Sequence, residues 1–313
     1  MLLMKNENPI FLVIQSYLRS RLIKNVWVSS IRAQTLIAGI SPVMIGSAIA
    51  SIYQPIIGWV FALSLLFSLL LQIGTNWAND YFDFIKNADT CARKGPHRAI
   101  QTQKISPKTM RNASFGIFFL AACISFPLIA RIGLHFIPFM MLCIFCAIFY
   151  TAGKRPLGYM GFGDLLVFLF YGPIATCCTI LAQILFIPSE SWIAALIPGC
   201  MSCAILCLNN MRDIDEDRRA NKLTLVARFG LRFGKAEYGA CLFIAALAPL
   251  LLVWHGWPTT FLIVWLVLPL AIEPLQIAFQ LCGDLNRALA LTARMFAIYT
   301  IILCMAIYAH LYI

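Results

Sequence analysis

Apolar residues fill this chain in long runs, and the polar residues gather in short blocks between them. A helix of ~20 apolar residues is long enough to cross the hydrocarbon core of a bilayer. Candidate spans fall at roughly 34–53, 56–79, 112–132, 136–153, 163–186, 190–211, 236–255, 258–280 and 288–311, nine in all. Pro55, Pro138, Pro188 and Pro258 stand at or near span ends. Pro42, Pro127, Pro173, Pro198, Pro249 and Pro269 stand inside spans, where neighbouring groups can re-satisfy a kinked backbone. The pattern predicts an all-α multi-pass membrane protein with a single transmembrane domain over residues 34–313. Residues 1–33 form a cytoplasmic, partly amphipathic lead-in, in which the apolar patch Ile10 to Ile14 is too short for a signal sequence.

Charge orients the spans. Nine crossings sort the connecting segments into two alternating sets. One set is the N-terminus, 80–111, 154–162, 212–235 and 281–287; the other is 54–55, 133–135, 187–189, 256–257 and the C-terminus. Of the 24 Lys and Arg residues, all but Arg131 belong to the first set or its helix ends. Cytoplasmic loops collect Lys and Arg, so the first set is expected in the cytoplasm, with the N-terminus inside and the C-terminus outside. Chemistry that needs charge then belongs at the cytoplasmic face. Trp59, Trp192, Trp254 and Trp257 fall near the opposite interface, where aromatic belts occur.

Composition sharpens the class. The chain is 61% hydrophobic and 12% charged, against about 45–50% and about 25% for a soluble domain. The net charge of +11 is explained by the basic loops. No pattern of basic and aromatic residues stands outside the apolar segments, so the expected partner is a lipid bilayer and not nucleic acid. Of the 12 cysteines, most lie inside apolar runs, including the formal CxxC pairs Cys143/Cys146 and Cys200/Cys203. Such residues read as small apolar fillers.

Acidic residues are scarce, and most sit in two stretches. One runs Asn76-Trp-Ala-Asn79-Asp80-Tyr-Phe-Asp83-Phe-Ile-Lys86-Asn87-Ala-Asp89; the other runs Asn209-Asn210-Met-Arg212-Asp213-Ile-Asp215-Glu216-Asp217. Each begins at the cytoplasmic end of a span, the second and the sixth. Asn76, Asp80 and Asp83 are spaced by four and three, so they share one helix face. Asn209 or Asn210, Asp213 and Asp217 repeat the arrangement. Packed side by side, the two rows would concentrate negative charge in one concave place. Buried carboxylates need a positive partner, and hard oxygen donors suit Mg²⁺ together with substrate phosphates and water. No Cys or His stands at ligand spacing in either stretch, which argues against zinc or copper. Lys86, Arg93, Arg98, Arg212, Lys222 and Arg228 suit phosphate oxygens. Carboxylates, magnesium and bases in one mouth describe a diphosphate site.

These residues resemble the UbiA superfamily of intramembrane prenyltransferases, and within it the 1,4-dihydroxy-2-naphthoate polyprenyltransferases of menaquinone synthesis. The stretches that carry the resemblance are QIGTNWANDYFDFIKNADT (72–90), GPHRAIQ (95–101), YTAGKRPLGYMGFGDLLVFLFYGP (150–173), NNMRDIDEDRRANKLTLVARFG (209–230) and Trp27 with IRAQTL (31–36). The resemblance implies a UbiA-like helical bundle with a cytoplasmic-side active-site cap. It implies one magnesium on Asn76, Asp80 and Asp83 and a second on Asn209 or Asn210, Asp213 and Asp217. Asp80, Asp83, Asp213, Asp217 and Lys222 would carry catalysis. Asn79, Lys86, Arg98, Tyr150, Lys154, Asp164 and Arg212 would join the amides in binding polyprenyl diphosphate and the aromatic acceptor. Tyr81 and Tyr150 would steady the allylic cation. Where the family usually has glycine beside each motif's lysine, this chain has Asn87 and Asn221. Asn is the next best residue for a left-handed turn, so the loop geometry is expected to survive.

Asp164 has a second reading, as the N-cap of the fifth span, and Ser106-Pro107 reads as a helix start. Glu273 is an intramembrane acid beside Pro274, a functional candidate by position or a kink residue. His97 reads as a solvated loop residue, and His135 and His255 as structural. Other acceptors such as 4-hydroxybenzoate remain open. The NNxRD form of the second motif and the QIGTN lead-in favour naphthoate by resemblance alone. A cation transporter with the acid rows as its ion path is the alternative outside the enzymes. It fits less well, because the acids cluster at one face and the opposite side lacks a matching exit.

Overall fold

The computed structural model describes residues 26–88, 95–96, 98–280 and 283–311. Among them every regular element is helical. After α1 (Val26–Ser30) come α2 (Ala33–Tyr53), α3 (Gly58–Ile85), α4 (Pro107–Ile132), α5 (Ile137–Phe149), α6 (Gly163–Ile184), α7 (Ser191–Arg212), α8 (Ile214–Arg219), α9 (Leu225–Phe229), α10 (Leu231–Trp254), α11 (Thr259–Gln280) and α12 (Leu285–His310). Eight of these are long and apolar enough to cross a membrane, and the apolar helix over Leu134–Phe149 is shorter. The chain is a multi-pass membrane protein.

Local chemistry sets several helix ends as the residues imply. Ser106 caps α4 by accepting from the Thr109 amide at 3.1 Å, with Pro107 in the first turn. Arg131 closes the other end of α4, donating to the Ala182 and Gln183 carbonyls at 2.6 and 3.0 Å where α6 ends. Proline leaves its marks inside spans. Around Pro173, α6 widens into a π turn over Phe170–Ile174, and around Pro269, α11 is wound as a 3-10 helix over Thr259–Ala271.

The main core joins α2, α6, α7, α10, α11 and α12 around Ile45, Met201, Tyr238, Phe261 and Phe296. Small residues bring backbones close. A Cβ at Gly46 of α2 would stand 2.8 Å from the Thr176 carbonyl of α6, and one at Gly172 of α6 would stand 2.9 Å from the Ala195 carbonyl of α7. On the other side, α3 packs chiefly on α4, and α5 makes lighter contact with both. The space between this arm and the main core is the cavity described next.

Candidate active site

The first acid row occupies the last turns of α3. Asn76, Asp80 and Asp83 are buried there. Two buried carboxylates need compensation, and the chain supplies it from two directions. Arg32, between α1 and α2, lies in the left-handed region at φ 57, unusual for a residue with a Cβ. Its guanidinium donates to Asp80 Oδ1. Trp27 packs edge-on against Trp77 with ring centroids 4.9 Å apart, which fixes α1 on α3 and so locates that turn. Arg98 donates to the same Asp80 oxygen and stands 3.9 Å from Asp83 Oδ2. Its loop is held by a small apolar cluster in which Ala99, Ile100, Ile105 and Met110 pack with Trp77 and Tyr81. Asn76 donates to the Ile31 carbonyl at 2.9 Å and to Thr35 Oγ1 at 3.0 Å. Its own oxygen is thereby kept as an acceptor.

The second row differs from the single helix expected of it. α7 ends at Arg212, Asp213 stands at φ −96 and ψ 11, and Asp217 belongs to the one-turn helix α8. The register survives the break because helical hydrogen bonds continue through it. The Asp213 amide donates to the Asn209 carbonyl at 3.1 Å, and the Asp217 amide to the Asp213 carbonyl at 2.8 Å. Arg212 grips both Asp213 oxygens at 2.6 and 2.7 Å and donates to Asn209 Oδ1 at 2.6 Å and Asn286 Oδ1 at 2.9 Å. Lys222 Nζ lies 3.2 Å from Asp217 Oδ1, while Asp217 Oδ2 is buried with no hydrogen-bond partner. Asn87 and Asn221, the two residues that stand where glycine is usual, both adopt φ 52, the left-handed turn expected of them.

The rows do not lie side by side. α3 packs mainly on α4, and α7 mainly on α10, so the rows meet across a mouth. The segment between α5 and α6 bridges them. Tyr159 donates to Asp83 Oδ1 at 2.9 Å, and its ring lies 4.7 Å from Lys86 Nζ and 5.9 Å from Lys222 Nζ. Thr151 donates to Asn79 Oδ1 and its carbonyl accepts from Lys86. The Leu223 amide donates to the Tyr159 carbonyl at 2.9 Å, and Arg228 donates to the Met160 carbonyl at 2.7 Å. Those bonds join the loop that carries Lys222 to the one that carries Tyr159.

Charges of both signs crowd the mouth. Burial pushes the Asp217 carboxyl above the ordinary range; Lys222 opposes that, and Asp213 and Asp83 add to it. Burial pushes the Lys222 ammonium down, but Asp217, Asp83 and Asp213 together outweigh burial and hold it above an ordinary lysine. A polar recess of about 20 Å³ lies among Asp83, Arg98, Asn209, Asp213, Asp217 and Lys222, room for one water-sized particle. Among the described residues no three His, Cys, Asp or Glu side chains converge as a ligand set. A metal here would take one or two carboxylates and amide oxygens and complete its shell with water or substrate, which is the habit of Mg²⁺. The orphaned Asp217 oxygen and the all-oxygen donor set fit that ion.

Behind the mouth a cavity of about 890 Å³ runs between α2, α3, α4, α5 and α6. Asn76, Asn79, Asp80, Asp83, Arg98, Tyr150, Asn209, Asn210, Arg212 and Lys222 border it, and its far end is apolar, with Leu128, Ile132, Phe136 and Phe139. A charged mouth and an apolar far end suit a lipid tail attached to a charged head.

The family of the chain follows from this arrangement together with its likeness to known proteins. The profile of the UbiA prenyltransferase family matches residues 39–298. The chain belongs to that family. It is 35% identical over 227 residues to the 1,4-dihydroxy-2-naphthoate octaprenyltransferase of Mycobacterium tuberculosis, covering 72% of this chain and 77% of that one. It is 34% identical over 236 residues to the Escherichia coli protein of the same name, covering 72% and 75%. In fold it is similar to a UbiA homolog from Aeropyrum pernix in its apo form, with a TM-score of 0.67 and 16% identity over 88% of this chain and 98% of that one. It is also similar to a UbiA homolog from Archaeoglobus fulgidus bound to GPP and Mg²⁺, with a TM-score of 0.65 and 14% identity over 92% and 100%.

Several expected contacts of this UbiA family member fall elsewhere. Lys154 is exposed and does not border the cavity, because the turn at Gly153, at φ 86, carries it outward. Asp164 lies in the first turn of α6, buried against α7 with the Cys203 thiol donating to its carbonyl at 3.2 Å. It does not border the cavity, and the residue at the cap position is Phe162. Glu273 is half-exposed and paired with Arg287. Asp89, Arg93 and His97 lie outside the described residues. Arg32, Thr151 and Tyr159 lie within the stretches that carry the family resemblance, but no role is legible for them in the sequence. Nothing in spacing marks them, because each reaches the mouth from a separate segment and meets it only once the chain is folded.

Proposed function

We propose that the chain transfers a polyprenyl group from polyprenyl diphosphate to 1,4-dihydroxy-2-naphthoate, releasing diphosphate and carbon dioxide and giving demethylmenaquinol. The observation that carries this reading is one cavity that joins a mouth of two amide-and-carboxylate rows to an apolar body. The naphthoate acceptor is supported by relatives named 1,4-dihydroxy-2-naphthoate octaprenyltransferase at 34% and 35% identity.

Asn76, Asp80 and Asp83 would hold one magnesium, and Asn209 or Asn210, Asp213 and Asp217 a second. When bound, magnesium neutralises the charge that builds on the leaving diphosphate. The protein's own cations share that task. Arg98, Lys86, Arg212 and Lys222 stand around the mouth and suit phosphate oxygens. The allylic C–O bond breaks with its electron pair leaving on the diphosphate. The ring carbon that bears the carboxylate then forms the new C–C bond. The carboxylate departs as carbon dioxide, and the pair from that bond restores the ring. Tyr150 on the cavity wall offers a π face to the allylic cation, and the apolar walls keep water from it. The mouth would face the cytoplasm, with the N-terminus inside and the C-terminus outside, as the Lys and Arg distribution favours.

The test offers the purified protein in lipid a labelled polyprenyl diphosphate with each candidate acceptor, with and without magnesium. Expected are prenylated product and carbon dioxide with 1,4-dihydroxy-2-naphthoate, both lost on chelation. Turnover with 4-hydroxybenzoate alone would overturn the naphthoate acceptor.

A further inference from the structure

Below the diphosphate mouth the cavity wall carries a hydrogen-bond donor that the protein leaves unused. Gln72 lies one helical turn before Asn76 on α3, about 6 Å along the axis. It is 6% exposed and borders the cavity. Its oxygen accepts the hydroxyl of Tyr171. Among the described residues its amide nitrogen has no hydrogen-bond partner, and it is not among the nitrogens sealed away from the cavity. With the amide oxygen on the Tyr171 hydroxyl, the NH₂ is the end left for the cavity. Tyr171 is itself held by an unusual element. It lies within the π turn over Phe170–Ile174, a local widening that often marks a functional site. Gly172 beside it presses on α7, where a Cβ would meet the Ala195 carbonyl at 2.9 Å.

The surroundings say what the donor is for. Near it in the chain Phe67, Ser68, Leu71 and Thr75 line the same cavity, and the Ser68 and Thr75 hydroxyls already donate to the Gly39 and Leu71 carbonyls at 2.8 and 2.7 Å. The amides one turn or more above are engaged: Asn76 donates to Ile31 and Thr35, and Asn79 accepts from Thr151. A polyprenyl chain is hydrocarbon and accepts no hydrogen bond, so a tail alone would bury this donor unpaired, at a cost. The second substrate of the proposed reaction carries ring hydroxyls and a carboxylate, and it must lie between the diphosphate and the tail wall to reach the allylic carbon. We propose that Gln72 donates a hydrogen bond to an oxygen of the aromatic acceptor, and that Tyr171 is the positioning residue that orients the amide for it.

This rests on the prenyltransferase reading above, and the experiment separates the two. The Michaelis constants for acceptor and for polyprenyl diphosphate are measured independently on the full chain in nanodiscs, using whichever hydroxylated aromatic acid the wild type prenylates. Expected for Gln72→Leu is an acceptor KM raised about tenfold, the size of one lost hydrogen bond, with the diphosphate KM unchanged. Tyr171→Phe, which removes one oxygen and keeps the ring, raises the acceptor KM by a smaller factor in the same direction. Direct titration of the acceptor without diphosphate shows the same weakening in both variants. An unchanged acceptor KM in Tyr171→Phe and Gln72→Leu, or a rise in the diphosphate KM instead, would overturn the assignment. A wild type that prenylates only 4-hydroxybenzoate would overturn the naphthoate reading, and the role of Gln72 would still be decided on that acceptor.

Discussion

Asp80 and Asp213 each stand at the middle of a row, and each is gripped by arginine, Asp80 by Arg32 and Arg98, Asp213 by Arg212. On the two-metal proposal, removing either carboxylate takes away a metal ligand, and in either case it releases a buried cation. Asp80→Ala and Asp213→Ala are each expected to abolish turnover almost completely while inserting in the membrane as the wild type does. Retained turnover in both variants would remove the two-metal reading. Tyr159 works differently, through its hydroxyl on Asp83 and its ring beside Lys86 and Lys222. Tyr159→Phe keeps the ring, and a fall of about tenfold in kcat/KM matches one hydrogen bond to a charged group. Tyr159→Leu removes the cation–π contacts too and is expected to cost about tenfold more. Equal losses in the two variants would show that the ring contributes nothing. Asn221, at φ 52, turns the chain so that Lys222 meets Asp217. Asn221→Gly is expected to retain activity, whereas Asn221→Val destabilises the protein by about 1–2 kcal/mol in thermal unfolding. At this scale the carboxylates and amides were legible in sequence, because spacing by three and four is a local property. Tyr159 and Arg32 were not, since their partners lie far along the chain.

Elements decide how those residues meet. The spans were readable as runs of apolar residues, and the eight long helices lie where those runs lie. Two features escaped. The second acid row breaks between α7 and α8 at Asp213, yet keeps register through backbone bonds of 3.1 and 2.8 Å; a four-residue spacing looks the same in either case. The π turn of α6 was likewise hidden, because Pro173 announces a disturbance without saying which kind. Its consequence is measurable. Gly172 in that turn lies against Ala195 and Gly199 of α7, with backbone atoms 2.9 and 3.0 Å from where a Cβ would stand. Backbone cannot move aside as a flexible side chain can. Gly172→Ala is expected to destabilise the protein by about 1–3 kcal/mol, read as a lower Tm in detergent, and to displace Tyr171 from Gln72. An alanine variant as stable as the wild type would show that α6 and α7 separate freely.

The whole molecule tests the orientation that charge implies. The parity of the crossings depends on α5, whose 13 residues rise only about 20 Å at 1.5 Å each, against a hydrocarbon core of about 30 Å. Its two flanks nevertheless reach opposite ends of the bundle. Just before it, Arg131 binds the carbonyls of Ala182 and Gln183 at the end of α6 away from the mouth. Just after it, Thr151 binds Asn79 in the mouth. The short helix therefore joins the two ends of the bundle, the arrangement that nine crossings would require. If the mouth faces the cytoplasm, exposed positions on the two sides differ in access to an impermeant thiol reagent. Lys104 and Ser189 are both exposed, the first on the loop beside Arg98, the second where α6 passes to α7. In intact cells Ser189→Cys is expected to be labelled by an impermeant maleimide and Lys104→Cys to be labelled only after the membrane is opened. The reverse pattern would turn the protein over in the membrane, and labelling of both positions from outside would break the alternation that rests on α5.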